Sequence, residues 1–210
     1  MRVTREQLCL YAVTDRAWLG EKSLYEQVGE ALAGGVTMVQ LREKELAPEE
    51  FRQEAESINR LCKQYHVPLI INDNARLALE VGAAGVHIGQ QDMGLSDARK
   101  ILGEDKIIGV SARTVEQALA AWKGGADYLG SGAVFGTTTK GDASKLPLET
   151  FREICRAVEI PVVAIGGVSE KNILQLKGLG ASGVAVVSAV FASEDITGAA
   201  GRLLELSKQL

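Results

Sequence analysis

The sequence predicts an α/β fold, a (β/α)8 TIM barrel, from three observations. Eight short apolar segments recur along the 210 residues. They lack the polar alternation of half-exposed strands, as parallel strands buried on both faces require. Segments with helical apolar spacing lie between them, and a common glycine-marked return leads from helix to strand.

The strands are expected at Leu10–Val13, Met38–Leu41, Leu69–Ile71, Val86–Ile88, Ile107–Val110, Tyr128–Leu129, Val162–Ile165 and Val184–Val187. The helices are expected at Leu24–Ala33, from Pro48 through Ser57 to Tyr65, and at Asn74–Glu80, Leu95–Leu102, Val115–Trp122, Leu148–Val158, Ile173–Leu179 and Gly198–Leu206. Pro48 suits a first helical turn, where its missing N–H costs nothing. Four returns share one plan: Ala33 to Met38, Val81 to Val86, Lys123 to Tyr128 and Leu179 to Val184 each place a helix-ending Gly just before a strand. Units of roughly 25 residues with such returns favour a closed barrel. An open doubly wound sheet is the alternative, but no Gly-x-Gly-x-x-Gly follows the first strand. No linker or low-complexity tract divides the chain, so residues 1–210 are expected to form one barrel domain.

Composition excludes several classes. A net charge of -4 argues against a general nucleic-acid surface. No apolar run approaches a membrane span. The N-terminal Met-Arg-Val-Thr-Arg-Glu-Gln lacks the apolar core of a signal peptide, so the expected location is cytoplasmic. Cys9, Cys62 and Cys155 are odd in number and far apart, which suggests buried free thiols rather than a metal or disulfide pattern.

In a barrel, polar residues that follow the strands share one rim. After strand two, Gln40 and Arg42 alternate with Leu41 and share a face. A buried Arg needs a partner or a ligand, and Glu43 is the structural partner on offer. Lys44 follows. After strand three comes Asp73, which reads either as a helix cap or as a ligand. After strand four comes Asp92, which reads either as a turn residue or as a ligand. Together the two carboxylates suggest a hard cation, most simply Mg2+. His87, inside an apolar strand, reads as a packed histidine. After strand five comes Ser111, a donor for a ligand, with Thr114 as an ordinary N-cap. Gly166, Gly167 and Ser188 follow the last two strands, where barrels often hold phosphate. The stretch from Asp127 to Lys140 breaks at Gly130-Ser131-Gly132 and runs into Thr137-Thr138-Thr139-Lys140. Its hydroxyls, backbone N–H groups and lysine suit phosphate oxygens, although Gly, Ser and Thr also fill ordinary turns. The rim offers no Cys–His or Ser–His nucleophile, which points to positioning and electrostatics.

These residues resemble the thiamine-phosphate synthase (thiamine phosphate pyrophosphorylase) family. The matching pieces are Leu10 to Asp15, Gln40-Leu41-Arg42-Glu43-Lys44, Ile71-Asn72-Asp73, Gly85 to Asp92, Gly109-Val110-Ser111, Thr137 to Lys140, Ile165-Gly166-Gly167 and Val187-Ser188-Ala189, in family order. The resemblance implies a (β/α)8 barrel. It also implies a transferase that joins hydroxymethylpyrimidine diphosphate to hydroxyethylthiazole phosphate, or its carboxylated form, and releases pyrophosphate with Mg2+. Carried over, Gln40, Arg42, Asn72 and Lys140 surround the pyrimidine diphosphate, and Arg42, Lys44 and Lys140 balance its charge. Asp73 and Asp92 hold Mg2+, and Ser111 contacts the diphosphate. Thr137 and Thr139 meet the thiazole phosphate together with Gly167, Val187 and Ser188. Arg113 departs from the expected His, or other small or polar residue, before Thr114. Its side chain either adds charge near the diphosphate or points outward.

Two other readings compete. A thiazole tautomerase paralogue of the same fold would need neither diphosphate nor metal. A non-catalytic phosphate-ligand sensor would bind without releasing pyrophosphate. Small-molecule partners are expected in every case, with no nucleic acid and no membrane; a homo-oligomer stays open.

Overall fold

A computed structural model describes residues 3–136 and 145–210. Eight parallel strands close into a barrel in sequence order, β1 pairing with β8 as well as with β2. The strands are β1 (Leu10–Val13), β2 (Met38–Leu41), β3 (Leu69–Asn72), β4 (Gly85–Ile88), β5 (Ile107–Ser111), β6 (Tyr128–Gly132), β7 (Val162–Ile165) and β8 (Gly183–Val186). Closure excludes the open sheet.

The main helices are α2 (Leu24–Ala33), α3 (Pro48–Gln64), α4 (Ala75–Glu80), α5 (Leu95–Leu102), α6 (Val115–Lys123), α7 (Leu148–Ala157) and α9 (Ile196–Ser207). They form where the sequence marks their ends. Ser23 and Glu26 make a reciprocal capping box at the start of α2, and Pro48 occupies the first turn of α3. Thr114 caps α6 by accepting from the Gln117 N–H. The expected helix at Ile173–Leu179 shortens to a 3-10 turn, Ile173–Leu176. Two short α-helices are added: α1 (Arg5–Leu8), which had no expectation, and α8 (Ser188–Phe191), which opens at Ser188 as its place after the last strand suggests. Among the described residues, no helix is long and apolar enough to cross a membrane.

Strand alternation sorts the core into two clusters. Leu10, Ala12, Val39, Leu41, Ile71, Val86, Leu129 and Val184 face the helix layer. Tyr11, Met38, Ile70, Ile107, Tyr128 and Val163 face the lumen. Val3 and Leu8, brought in by α1, join the lumen cluster. At about 1.5–3 kcal/mol for each fully buried large side chain, this filling makes the barrel a core rather than a pore. Polar inward side chains begin above it.

The sixth strand is longer than the sequence suggests. Gly130, Ser131 and Gly132 are not a break; they pair in register with Val163, Ala164 and Ile165 of β7. Glycine is required at Gly132 by proximity, since a β-carbon there would lie 1.9 Å from the Ile165 carbonyl oxygen. All three cysteines are free thiols; Cys62 is buried, while Cys9 and Cys155 are partly so.

Candidate active site

A cavity of about 540 Å3 opens where the strands end at their C-termini. Tyr11, Gln40, Asn72, His87 and Ser111 line one side of it. Phe135, Gly136, Gly166, Gly167, Val187 and Ser188 line the other. Arg42 and Arg113 also reach it, and no Asp or Glu is among the described lining residues. Positive charge in a low-dielectric cleft favours an anion.

Arg42 is available for a ligand because its neighbour in sequence points elsewhere. Glu43 faces away from the lumen, where its carboxylate accepts from Arg16 Nε at 2.9 Å; Arg16 also grips Glu54. Burial raises the Glu43 carboxyl above the usual range, partly offset by Arg16. Arg42 instead has Asp15 at 3.7 Å, and its buried Nε has no partner among the described residues. The Arg42 backbone N–H is tied to Thr14 Oγ1 at 3.0 Å.

Ser111 ends β5, and its hydroxyl meets His87 Nε2 at 3.0 Å. Its carbonyl accepts from Gln90 Nε2 at 2.6 Å. His87 is packed, as the sequence suggests, yet it lies on the cavity wall rather than in the apolar interior.

Asp73 and Asp92 stand just beyond two neighbouring strands, β3 and β4, and neither lines the cavity. Asp73 adopts a left-handed conformation, φ 62. It accepts from Asn72 Nδ2 at 2.6 Å, and Asn74 rather than Asp73 caps α4. Asp92 is exposed, and its Oδ2 accepts from the Gly89 N–H at 2.7 Å. Among the described residues, no three His, Cys, Asp or Glu side chains form a metal-binding group. Two carboxylates fit Mg2+ only if waters or ligand oxygens complete the shell, as is usual for that ion.

The opposite wall is mostly backbone. Gly167 has φ 68, and a β-carbon there would come within 2.2 Å of the Gly136 carbonyl oxygen. The Val134 and Phe135 N–H groups donate to Ile165 and Gly166, so the segment after β6 follows the end of β7. Ser188 opens α8, whose first backbone bonds are donated by Val190 and Phe191 to Val187. The preceding N–H groups therefore have no intrahelical acceptor, which suits an anion.

Gln40, Arg42, Asn72, Ser111, Gly167, Val187 and Ser188 thus meet at one cavity, and Arg113 turns inward to it. Lys44 does not line it and is exposed. Thr137, Thr139 and Lys140 lie outside the described residues. Of two residues that the sequence did not single out, Tyr11 lines the cavity and Tyr128 lies behind it. Tyr11 and Tyr128 are fully buried in the lumen with hydroxyls 2.8 Å apart. A tyrosine inside an apolar strand is the available signal, because its buried hydroxyl needs a partner.

Comparison with known proteins settles the family. Residues 10–190 match the sequence model described as thiamine monophosphate synthase. The chain belongs to the thiamine monophosphate synthase family. A thiamine-phosphate synthase of Ruminiclostridium cellulolyticum is 51% identical over 197 residues, covering 94% of each chain. One of Clostridium acetobutylicum is 46% identical over 200 residues, covering 95% of each. Within this thiamine monophosphate synthase family, the solved thiamine phosphate pyrophosphorylase of Pyrococcus furiosus superposes with a TM-score of 0.90. It is 39% identical, over 97% of both chains.

Proposed function

We propose that the protein is a thiamine-phosphate synthase. It would transfer the pyrimidinylmethyl group of hydroxymethylpyrimidine diphosphate to the thiazole nitrogen of hydroxyethylthiazole phosphate, or its carboxylated form, and release pyrophosphate. The observation that carries the reading is the cavity with Arg42 and Arg113 and no carboxylate among its described lining residues. Such a site suits two phosphorylated substrates. Near-full-length similarity to thiamine-phosphate synthases supports the same reaction.

The proposed mechanism is dissociative. The methylene C–O bond breaks first, and both electrons leave with pyrophosphate. The aminopyrimidine spreads the positive charge left on the methylene. The thiazole nitrogen lone pair then forms the new C–N bond. In this mechanism Arg42, Lys44 and Lys140 balance the charge of the leaving group, and Ser111 donates to it. Gln40 and Asn72 orient the pyrimidine. Thr137, Thr139, Gly167, Val187 and Ser188 hold the thiazole phosphate. Asp73 and Asp92 would hold Mg2+, which neutralises phosphate charge when bound. The chain's main tasks are holding both partners close and excluding water from the cation.

The test is to incubate the protein with both substrates and Mg2+ and weigh the product by mass spectrometry. A species with the mass of thiamine phosphate supports the synthase. An isomerised thiazole carboxylate phosphate formed without the pyrimidine would instead mark a tautomerase, and binding without product a sensor.

A further inference from the structure

A continuous run of hydrogen bonds crosses the lumen beneath the cavity. Gln40 Nε2 lies 2.7 Å from Tyr11 Oη, which lies 2.8 Å from Tyr128 Oη. Tyr128 Oη is 3.0 Å from His87 Nδ1, and His87 Nε2 is 3.0 Å from Ser111 Oγ. Five residues from five strands are joined end to end, and both terminal side chains line the cavity.

Counting protons gives this run a direction. Each hydroxyl has one proton, and a neutral imidazole has one N–H. An amide nitrogen can only donate, so Gln40 Nε2 gives its proton to Tyr11. Because a buried hydroxyl proton left unused is costly, Tyr11 donates to Tyr128, and Tyr128 to His87 Nδ1. His87 therefore carries its proton on Nε2 and donates to Ser111 Oγ. The Ser111 proton is left to face the cavity. Turning the Gln40 amide over would reverse every step and point the Ser111 proton back at His87. The cavity chooses between them: beside Arg42 and Arg113, with no carboxylate among the described lining, an incoming anion wants a donor from Ser111. Both phenols are fit for relaying a fixed proton, because burial pushes them above their ordinary range.

The geometry points to Tyr11, Tyr128 and His87 as positioning residues that lock the Gln40 amide and the Ser111 hydroxyl into one matched polarity. Resting on the synthase reading, this couples the two ends of the pyrimidine diphosphate. Gln40 presents its carbonyl oxygen and remaining N–H to the ring, and Ser111 presents its proton to the leaving group. An error at either end is transmitted to the other.

The test begins without substrate. The chain has two histidines, so His66→Asn in 15N-histidine-labelled protein leaves one signal. His87 is expected in the neutral Nε2–H tautomer, with Nδ1 as acceptor. A proton on Nδ1 overturns the proposal. Tyr128→Phe keeps the ring and removes one link. It is expected to abolish the single tautomer and lower turnover about 10-fold or more, with KM for the thiazole phosphate changed by less than about 2-fold. His87→Gln can supply the same acceptor and donor, so it is expected to retain at least about 5-fold more turnover than His87→Leu. Equal turnover in wild type and Tyr128→Phe, or no advantage of Gln over Leu, also overturns the proposal. Failure of the wild type to form product would sink the synthase reading while leaving the tautomer result to stand or fall alone.

Discussion

Gly109 and Tyr128 are register partners on β5 and β6, and a β-carbon on Gly109 would sit 2.1 Å from Tyr128 Cζ. The missing side chain is what lets the phenol lie across the lumen. Gly109→Ala should therefore displace Tyr128 and destabilise the fold by about 1–3 kcal/mol, read from urea unfolding. Gly29→Ala is the matched control. It lies inside α2, where the new methyl would meet only Leu61 Cδ2 at 3.9 Å. There alanine should stabilise by about 0.5–1 kcal/mol.

Among the described residues, the Arg42 guanidinium has only the distant Asp15 as counter-ion. Arg42→Lys keeps the charge but loses the planar donor fork that suits phosphate oxygens. It should weaken pyrimidine diphosphate binding about 10-fold, and Arg42→Ala about 100-fold or more, measured by titration calorimetry. Equal affinity in all three proteins would remove Arg42 from the diphosphate site.

Asp92 is exposed, and among the described residues its side chain accepts one hydrogen bond, from the Gly89 N–H. Asp92→Ala should cost no more than about 1 kcal/mol of stability. It should lower turnover on the order of 100-fold and raise the Mg2+ concentration needed for half-maximal rate. Unchanged turnover at low Mg2+ would show the metal assignment to be wrong.

Burial pushes the Cys62 and Cys155 thiols up to about 12. The thiolate is the reactive form. At pH 8 the folded protein should therefore alkylate these two at least about 100-fold more slowly than the unfolded chain does. Mass spectrometry of labelled peptides reads this directly, and rapid modification of Cys62 would contradict its burial.

The Glu43 carboxyl is raised in the folded protein by burial. The folded state then holds this proton at pH values where the unfolded chain has released it. The stabilising contribution is thus fully present below the unfolded carboxylate range and is lost as pH rises through the raised value. Glu43→Gln removes that proton. Its stability relative to wild type should improve as pH rises from about 4 toward 7, measured by denaturant unfolding at each pH. A difference that does not change with pH would mean that Glu43 is not strained by burial.

The barrel was legible because its strands are buried on both faces and so read as uninterrupted apolar runs. Gly130-Ser131-Gly132 misled, since glycines signal turns locally. In the fold, Gly130 instead makes room for His87, whose Cε1 would lie 3.1 Å from an added β-carbon. Arg42 was legible as needing a partner, but the choice of partner was not. Glu43 is adjacent in sequence, yet just past the end of β2 its side chain turns the other way, against Arg16. The Tyr11–Tyr128 contact joins residues 117 apart. No local pattern encodes such a pair; only closure of the ring brings them together. Lys44 shows the reverse case, a motif residue at the right place in the sequence whose side chain stays outside the cavity.

The most direct test of the central claim is pyrophosphate release, followed with both substrates and Mg2+ and with each substrate alone. Two-substrate condensation requires pyrophosphate to appear with both present, one for each thiamine phosphate formed. Folded protein that binds the thiazole phosphate yet releases no pyrophosphate with both substrates present would contradict it.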